Sequence, residues 1–139
     1  KLVVAVPQFP LSTRLARSVL PEQVRMRDAV FNVSRAALLV AALTKGQPRF
    51  LRSAFADALH QPYREKLIPG MRDVFRAARR AGALGASLSG AGPCLIAYTL
   101  ENEEAVGQAM VEAFKEHEIE AHALQLSIDA HGARILKHR

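Results

Sequence analysis

The stretch that decides the fold is GASLSGAGPCLIAY, residues 85–98, in which two strand-like runs flank a glycine-rich turn. Residues 86–88 and 94–98 are short runs of small and apolar residues, which is typical of buried strands. Gly90 and Gly92 stand one residue apart between them, and glycine lets the backbone adopt positive φ angles there. The stretch therefore predicts two neighbouring strands joined by a tight turn.

Outside this stretch, caps, apolar periodicity and Pro or Gly breakers predict the remaining elements. In chain order they are a strand over residues 2–6, helices from Ser12 or Thr13 to Leu20 and over residues 28–44, 48–59, 70–81 and 101–116, and a closing strand pair, 124–128 and 133–136, around Gly132. No repeat or linker divides residues 1–139, so one domain is expected. The order predicts an α+β sandwich of ferredoxin-like kind, with helices on one face of a mainly antiparallel sheet of about four strands.

Helical spacing also predicts which side chains of the longer helices face inward. In the helix over residues 28–44, the apolar positions with helical spacing are Val30, Val33, Ala37 and Val40, with Phe31, Leu38 and Ala41. In the last two helices, the predicted inward positions are Met71, Val74, Phe75 and Ala78, then Ala105, Val106, Ala109, Met110, Ala113 and Phe114.

The net charge of +6 raises the question of a nucleic-acid partner. Residues 1–100 carry 15 basic and 5 acidic side chains, whereas residues 101–139 carry 4 and 8. However, the chain has no Trp and only two Tyr, and no aromatic residues are interleaved with the arginines for base stacking. No nucleic-acid partner is therefore expected.

The chain lacks the sequence signals of a membrane or secreted protein. Its longest nearly uncharged apolar run, residues 36–43, is much too short to cross a bilayer, and no signal peptide precedes the first strand-like run. One cysteine, Cys94, rules out an internal disulfide framework and favours a reducing compartment, so a cytoplasmic location without membrane contact is expected. The first residue is Lys1 rather than Met, which we interpret as a piece of a longer protein.

Two stretches resemble a metal-binding motif and a phosphate-binding loop but lack the spacing or the residues that these motifs require. His117 and His122 are five residues apart, so on a helix they lie about 140° apart and cannot face one ion. Residues 85–90 have the glycine spacing of a P-loop, but Ala91 and Gly92 stand where Lys and Ser or Thr are required. The sequence therefore predicts no metal site and no P-loop.

Two other features favour an anion site on their chemistry. The N–H groups around Gly90 and Gly92 are suited to a phosphate-binding nest, although a tight turn between strands needs the same glycines. Thr13 and Arg17 are four residues apart at a helix start, so a hydroxyl, a guanidinium and free N–H groups lie on one side. An ordinary ion pair between Arg17 and Glu22 is the alternative.

Residues 85–93 resemble the third, glycine-rich motif of the GHMP kinases, which are small-molecule kinases for galactose, homoserine, mevalonate and phosphomevalonate. Four more blocks resemble the homoserine kinases of that superfamily: residues 4–7, 11–21, 28–39 and 61–69. Together these blocks comprise 45 residues, spread from residue 4 to residue 93. The resemblance implies that residues 1–139 are the C-terminal domain of such a kinase, without its N-terminal ATP-binding domain.

The resemblance also implies an activity and roles for individual residues. The full protein would transfer the γ-phosphoryl group of ATP to the hydroxyl of L-homoserine, a step in threonine biosynthesis. Arg17, assisted by Arg64, matches the arginines that bind the substrate's carboxylate, and Thr13 matches a threonine near the transferring phosphate. The phosphate and substrate loop would consist of Ser89, Gly90, Ala91 and Gly92. For Arg64, an ion pair with Glu65 or Asp57 is the alternative.

ATP and Mg²⁺ are implied to bind mainly in the preceding half, because its Pro-x-x-x-Gly-Leu-Gly-Ser-Ser-Ala loop has no match in this chain. The chain alone is therefore expected to be inactive. Its implied partners are L-homoserine, its own N-terminal domain and a second copy in a homodimer. The main alternative is a mevalonate- or phosphomevalonate-type GHMP kinase, which would not need the arginine pair. Two less favoured alternatives are a basic ferredoxin-like module for RNA, for which the strands offer no suitable aromatic pair, and a stand-alone amino-acid-sensing domain, against which the first residue Lys1 argues.

Overall fold

The computed structural model describes residues 1–129 and 131–135, which form a four-stranded sheet and six helices. The strands are β1 (Leu2–Pro7), β2 (Gly85–Leu88), β3 (Leu95–Tyr98) and β4 (Ala121–Leu126). The helices are α1 (Thr13–Ser18), α2 (Met26–Thr44), α3 (Leu51–Ala54), α4 (Gln61–Arg64), α5 (Met71–Arg80) and α6 (Glu103–Lys115). Two 3₁₀ turns, Pro48–Phe50 and Glu65–Leu67, precede α3 and follow α4.

The sheet has the strand order β2-β3-β1-β4, and every neighbouring pair is antiparallel. With α5 between β1 and β2 and α6 between β3 and β4, the skeleton is βαββαβ, so the predicted ferredoxin-like α+β fold is confirmed. Helices α1 to α4 form an insertion between β1 and α5. None of the helices in the described residues combines the length and the apolarity that crossing a membrane requires.

Side chains alternate along β1, and this alternation separates the two faces of the sheet. Val3 and Ala5 are fully buried beneath α5 and α6, together with Leu95 and Ala97 of the neighbouring strand. On the opposite face, the ring of Phe55 stacks on Tyr98, with centroids 4.2 Å apart. The core therefore lies between the sheet and α5–α6, while the insertion reaches one corner of the other face.

The two core helices largely follow the predicted inward pattern. In α5, all four predicted positions are buried, and in α6 Val106, Met110, Ala113 and Phe114 are buried while Ala109 is half-buried. The prediction for Ala105 is wrong, because it is exposed. Gly107 is buried in its place: a Cβ there would lie 3.0 Å from the Cβ of Ala123 and 3.4 Å from Cγ1 of Val3, so the missing side chain lets α6 approach the sheet closely.

Several predicted boundaries differ from the structure. Helix α1 ends at Ser18 rather than at residue 20, the helix predicted over 48–59 ends at Ala54, and α4 was not predicted at all. The last strand begins at Ala121 because it pairs with β1 as far as Pro7. The second member of the closing strand pair is not a strand over residues 133–135, and residue 136 lies outside the described residues.

We expect Gly107→Leu to lower the free energy of unfolding by about 1–3 kcal/mol, because the added side chain has no space between α6 and the sheet. Urea denaturation of the chain measures this change. Ala105→Leu is the matched control on the exposed side of the same helix and should change stability by less than about 0.5 kcal/mol. Equal stability of the two variants would contradict the close packing at Gly107.

Candidate functional site

Arg64 is the centre of the candidate site because its buried side chain joins three parts of the chain. Its Nε donates to the carbonyl oxygen of Ala16 in α1 at 3.0 Å, and its Nη1 donates to the carbonyl oxygen of Gly90 at 3.2 Å. Nη1 also lies 3.2 Å from Nδ1 of His60. Because arginine can only donate, this ring nitrogen of His60 accepts. The structure thus places α1, α4 and the glycine-rich loop side by side.

The positive charge of Arg64 has no carboxylate partner among the described residues. Glu65 pairs instead with Arg72, 2.6 Å away, and Asp57 is occupied by an amide and backbone N–H groups, so both predicted alternatives are wrong. Nη2 of Arg64 forms no hydrogen bond to any described residue, yet no unpartnered side-chain nitrogen is fully buried. Nη2 therefore remains accessible, and an incoming anion would balance an otherwise costly buried charge.

The glycine-rich loop is anchored at one glycine and open at the other. Gly90 and Gly92 have φ angles of 63° and 89°, in the region that favours glycine. The N–H of Gly92 donates to the carbonyl oxygen of Ser89, and a Cβ on Gly92 would lie 2.8 Å from Cδ1 of Ile68. A Cβ on Gly90 would meet nothing within 4 Å, and the N–H groups of Gly90 and Ala91 donate to no acceptor in the described part of the chain. These two N–H groups are suited to an anion.

Asp57 organises the segment that leads into α4. Its carboxylate accepts from Nδ2 of Asn32 at 2.6 Å and from the N–H groups of Leu59, His60 and Gln61 at 3.2, 2.9 and 2.6 Å. Burial of this carboxyl raises its pKa, but the Asn32 amide and the three N–H groups act in the opposite direction. The net result is a pKa below the usual value of 3.8. Asp57 is therefore held as an ionised carboxylate that fixes the backbone of this segment.

Gln61 connects α4 to the strand that leads into the glycine-rich loop. It is buried, and its Oε1 accepts the N–H of Leu88, the last residue of β2, at 2.9 Å. Neither Gln61 nor Asn32 was predicted from the sequence to take part in the site, and Asp57 was predicted only as a possible ion-pair partner. The signal was nevertheless present, because an acid followed at short distance by Pro62 in the first turn is typical of a helix start.

Thr13 and Arg17 both lie on α1 and are exposed. Arg17 directly follows Ala16, whose carbonyl oxygen binds Arg64, but it forms no ion pair in the described part of the chain, so the Glu22 alternative is wrong. The expectation of free N–H groups at the start of α1 is partly wrong, because the hydroxyl of Ser12 accepts the N–H of Leu15 at 3.1 Å.

Two further features do not include Arg64. A cleft of about 260 Å³ is lined by Arg52, Arg79 and Phe55, together with Asp57 and Gln61, but not by Arg64 or the glycine-rich loop. Nε2 of His117 lies 2.8 Å from Oδ2 of Asp73. Within residues 1–129 and 131–135, no three His, Cys, Asp or Glu side chains are grouped so that they could hold a metal ion.

Comparison with known proteins adds a family to this geometry. Residues 38–117 match the family model "GHMP kinases C terminal". The chain is 48% identical to a homoserine kinase of Moorella thermoacetica over 96% of its own length and 45% of that protein. It is 47% identical to a homoserine kinase of Persephonella marina over 97% of its own length and again 45% of that protein. The chain therefore spans about half the length of these curated relatives.

Solved structures agree in fold. A crystal structure of homoserine kinase from Cytophaga hutchinsonii superposes with a TM-score of 0.84 at 34% identity, over 88% of this chain and 40% of that chain. The mevalonate kinase of L. major, in complex with R-mevalonate, superposes with a TM-score of 0.55 at 21% identity, over 92% of this chain and 43% of that chain. The second likeness shows a shared fold alone.

We expect Asp57→Asn to lower the free energy of unfolding by about 1–3 kcal/mol at pH 7, because the charged acceptor of four donors is lost. The folded-state pKa of Asp57 lies below its ordinary value of 3.8, so ionised Asp57 stabilises the fold above pH 3.8. That contribution disappears as the pH falls from 3.8 through the folded-state pKa. Denaturation of both proteins at a series of pH values should show the difference shrinking in that range.

Glu116→Gln, which removes an exposed acid beyond the end of α6, is the control. It should lower the free energy of unfolding by less than about 0.5 kcal/mol at every pH of the series. A difference between the parent chain and Asp57→Asn that stayed constant down to the lowest pH would contradict the role of the ionised carboxylate.

Proposed function

The chain belongs to the GHMP kinase family, of which it carries the C-terminal domain, and on this basis we propose that it is the substrate-side half of a homoserine kinase. The complete protein would transfer the γ-phosphoryl group of ATP to the hydroxyl of L-homoserine and so form O-phospho-L-homoserine for threonine biosynthesis. The observation that carries this proposal is the buried Arg64, which has no carboxylate partner among the described residues and lies beside the open end of the glycine-rich loop. The relatives named homoserine kinase support it.

We assign the recognition of the amino acid to Arg64 and Arg17. The Nε and Nη1 atoms of Arg64 are held by the carbonyl oxygens of Ala16 and Gly90, so its accessible Nη2 is fixed in direction before substrate arrives. A guanidinium pairs with a planar carboxylate through charged hydrogen bonds, and an alcohol without a carboxylate would leave the buried charge unbalanced. Arg17 is the second cation, one residue beyond Ala16 and without an ion-pair partner in the described residues.

We assign contact with the phosphate to the glycine-rich loop and to Thr13, which is exposed on α1. The N–H groups of Gly90 and Ala91 donate to no described acceptor, and N–H groups of this kind stabilise phosphate oxygens without a side chain. Phosphoryl transfer depends mainly on positioning and on charge neutralisation, which such a loop supplies. Ser89 anchors the loop by accepting the N–H of Gly92.

The residues of this chain fit the acceptor and phosphate side of the reaction rather than the nucleotide. The described residues offer two loop N–H groups and a guanidinium, but no grouped metal ligands. We therefore propose that ATP and Mg²⁺ bind mainly to the preceding half, and that this chain by itself has no kinase activity. Homodimer formation and a cytoplasmic location remain predictions.

In the longer protein that includes the preceding half, we expect Arg17→Ala to raise the KM for L-homoserine about 10- to 100-fold, which corresponds to the loss of one charged hydrogen bond. Arg64→Lys should act in the same direction, because lysine retains the charge but loses the planar fork. The KM for ATP should change far less. Steady-state kinetics with L-homoserine and with 3-aminopropanol, which lacks the carboxylate, measure both effects.

The loss should be specific to the carboxylate, so 3-aminopropanol should be an equally poor substrate of the parent protein and of Arg17→Ala. Arg80→Ala, at the exposed end of α5, is the control and should leave both KM values unchanged. An unaltered KM for L-homoserine in Arg17→Ala would contradict the carboxylate assignment, and a preference of the parent protein for mevalonate would overturn the proposed substrate.

A further inference from the structure

Helix α2 is apolar on its exposed side as well as over much of its covered side, unlike an ordinary surface helix. Among the described residues, its half-buried or buried positions carry the polar Asp28, Asn32 and Arg35 and the apolar Ala29, Leu38, Leu39 and Ala42. From residue 30 to residue 44, every exposed residue is apolar or carries only a hydroxyl. We call this the outer face of α2; it consists of Val30, Phe31, Val33, Ser34, Ala36, Ala37, Val40, Ala41, Leu43 and Thr44.

The exposure of the outer face is large. Val33 is 71% exposed, Val40 65% and Leu43 56%, and the sequence pattern of Val30, Val33, Ala37 and Val40 is the one predicted for a buried stripe. Contiguous apolar surfaces of this kind are uncommon on isolated soluble proteins and mark surfaces that another protein segment covers. The outer face bears no charged side chain, so burying it requires no partner for a buried charge.

A short set of hydrogen bonds connects α2 to the candidate site. Asn32, on the inner side of α2, donates to Asp57 at 2.6 Å and accepts the N–H of Ala58 at 2.8 Å. Asp57 in turn fixes the start of α4, which carries Arg64. A protein segment that covers α2 is therefore held next to the site to which we assign the carboxylate.

The length of the relatives points to a candidate occupant of the outer face. This chain aligns with only 45% of the homoserine kinases of Moorella thermoacetica and Persephonella marina, so more than half of each relative lies outside the region it matches. We infer that the outer face of α2 is a docking surface for the preceding half of the same protein, and that α2 is a buried interdomain helix in the complete protein. This inference rests on the part of the proposed function that assigns a preceding half.

The test compares the accessibility of single cysteines in the 139-residue chain and in the full protein encoded by its gene. Cys94→Ser provides the background, and Val33→Cys and Val40→Cys place one thiol each on the outer face. Leu100→Cys, at a 61% exposed position after β3, is the control. In the 139-residue chain, all three thiols should react with a maleimide at similar rates. In the full protein, the thiols at positions 33 and 40 should react at least about tenfold more slowly than in the 139-residue chain, because a covered thiol reacts only through local opening.

The inference is overturned by an absence of protection or by protection that depends on protein concentration. Unchanged labelling at positions 33 and 40, or a gene that encodes no preceding half, shows that this half does not cover the face. Protection that disappears on dilution, together with a dimeric mass, assigns the face to a second copy. Homoserine phosphorylation by the same full-length variants is measured in parallel: protection without kinase activity contradicts the proposed function alone, and activity with free labelling contradicts the docking surface alone.

Discussion

The carboxylate of Asp57 is the constraint on which the candidate site depends. It accepts four hydrogen bonds, three of them from consecutive backbone N–H groups, and so dictates the path of the chain into α4. Helix α4 has only four residues, and a helix of that length does not form on its own because nucleation costs more than one turn returns. The turn exists because Asp57 holds its start and Gln61 ties it to β2. Arg64 is the last residue of α4, so the same contacts fix its position.

The charge of Arg64 is not balanced by a carboxylate among the described residues, and this is why we assign the binding of an anion to it. Carbonyl oxygens from α1 and from the glycine-rich loop take two of its donors, but carbonyl dipoles do not neutralise a whole positive charge. The two acids considered as partners of Arg64 are otherwise engaged, Glu65 by Arg72 and Asp57 by backbone N–H groups. A buried guanidinium with one accessible nitrogen is thus suited to an anion from outside the chain, and this suits the role that we propose for it.

The outer face of α2 shows how sequence and structure divide the information about burial. Helical periodicity predicted inward positions at Val33 and Val40, and within the described residues this prediction is wrong, because both side chains are exposed. The domain's own core does not use these positions, since α5 and α6 already cover the inner face of the sheet. The sequence pattern indicates that one face of the helix is apolar, but only the assembled tertiary structure determines which segment covers that face.

The sequence by itself determined the ferredoxin-like skeleton, the buried stripe of α5 and the glycine-rich turn between β2 and β3. These follow from local periodicity and from backbone preferences that adjacent residues carry. Only the tertiary structure decided α4, the extent of β4 and the contacts that build the site. Asn32 meets Asp57 across 25 residues, Arg64 meets Gly90 across 26, and Arg64 meets Ala16 across 48. Contacts over such separations form only when packing brings distant segments together, and no local pattern encodes which acceptor a buried donor will meet.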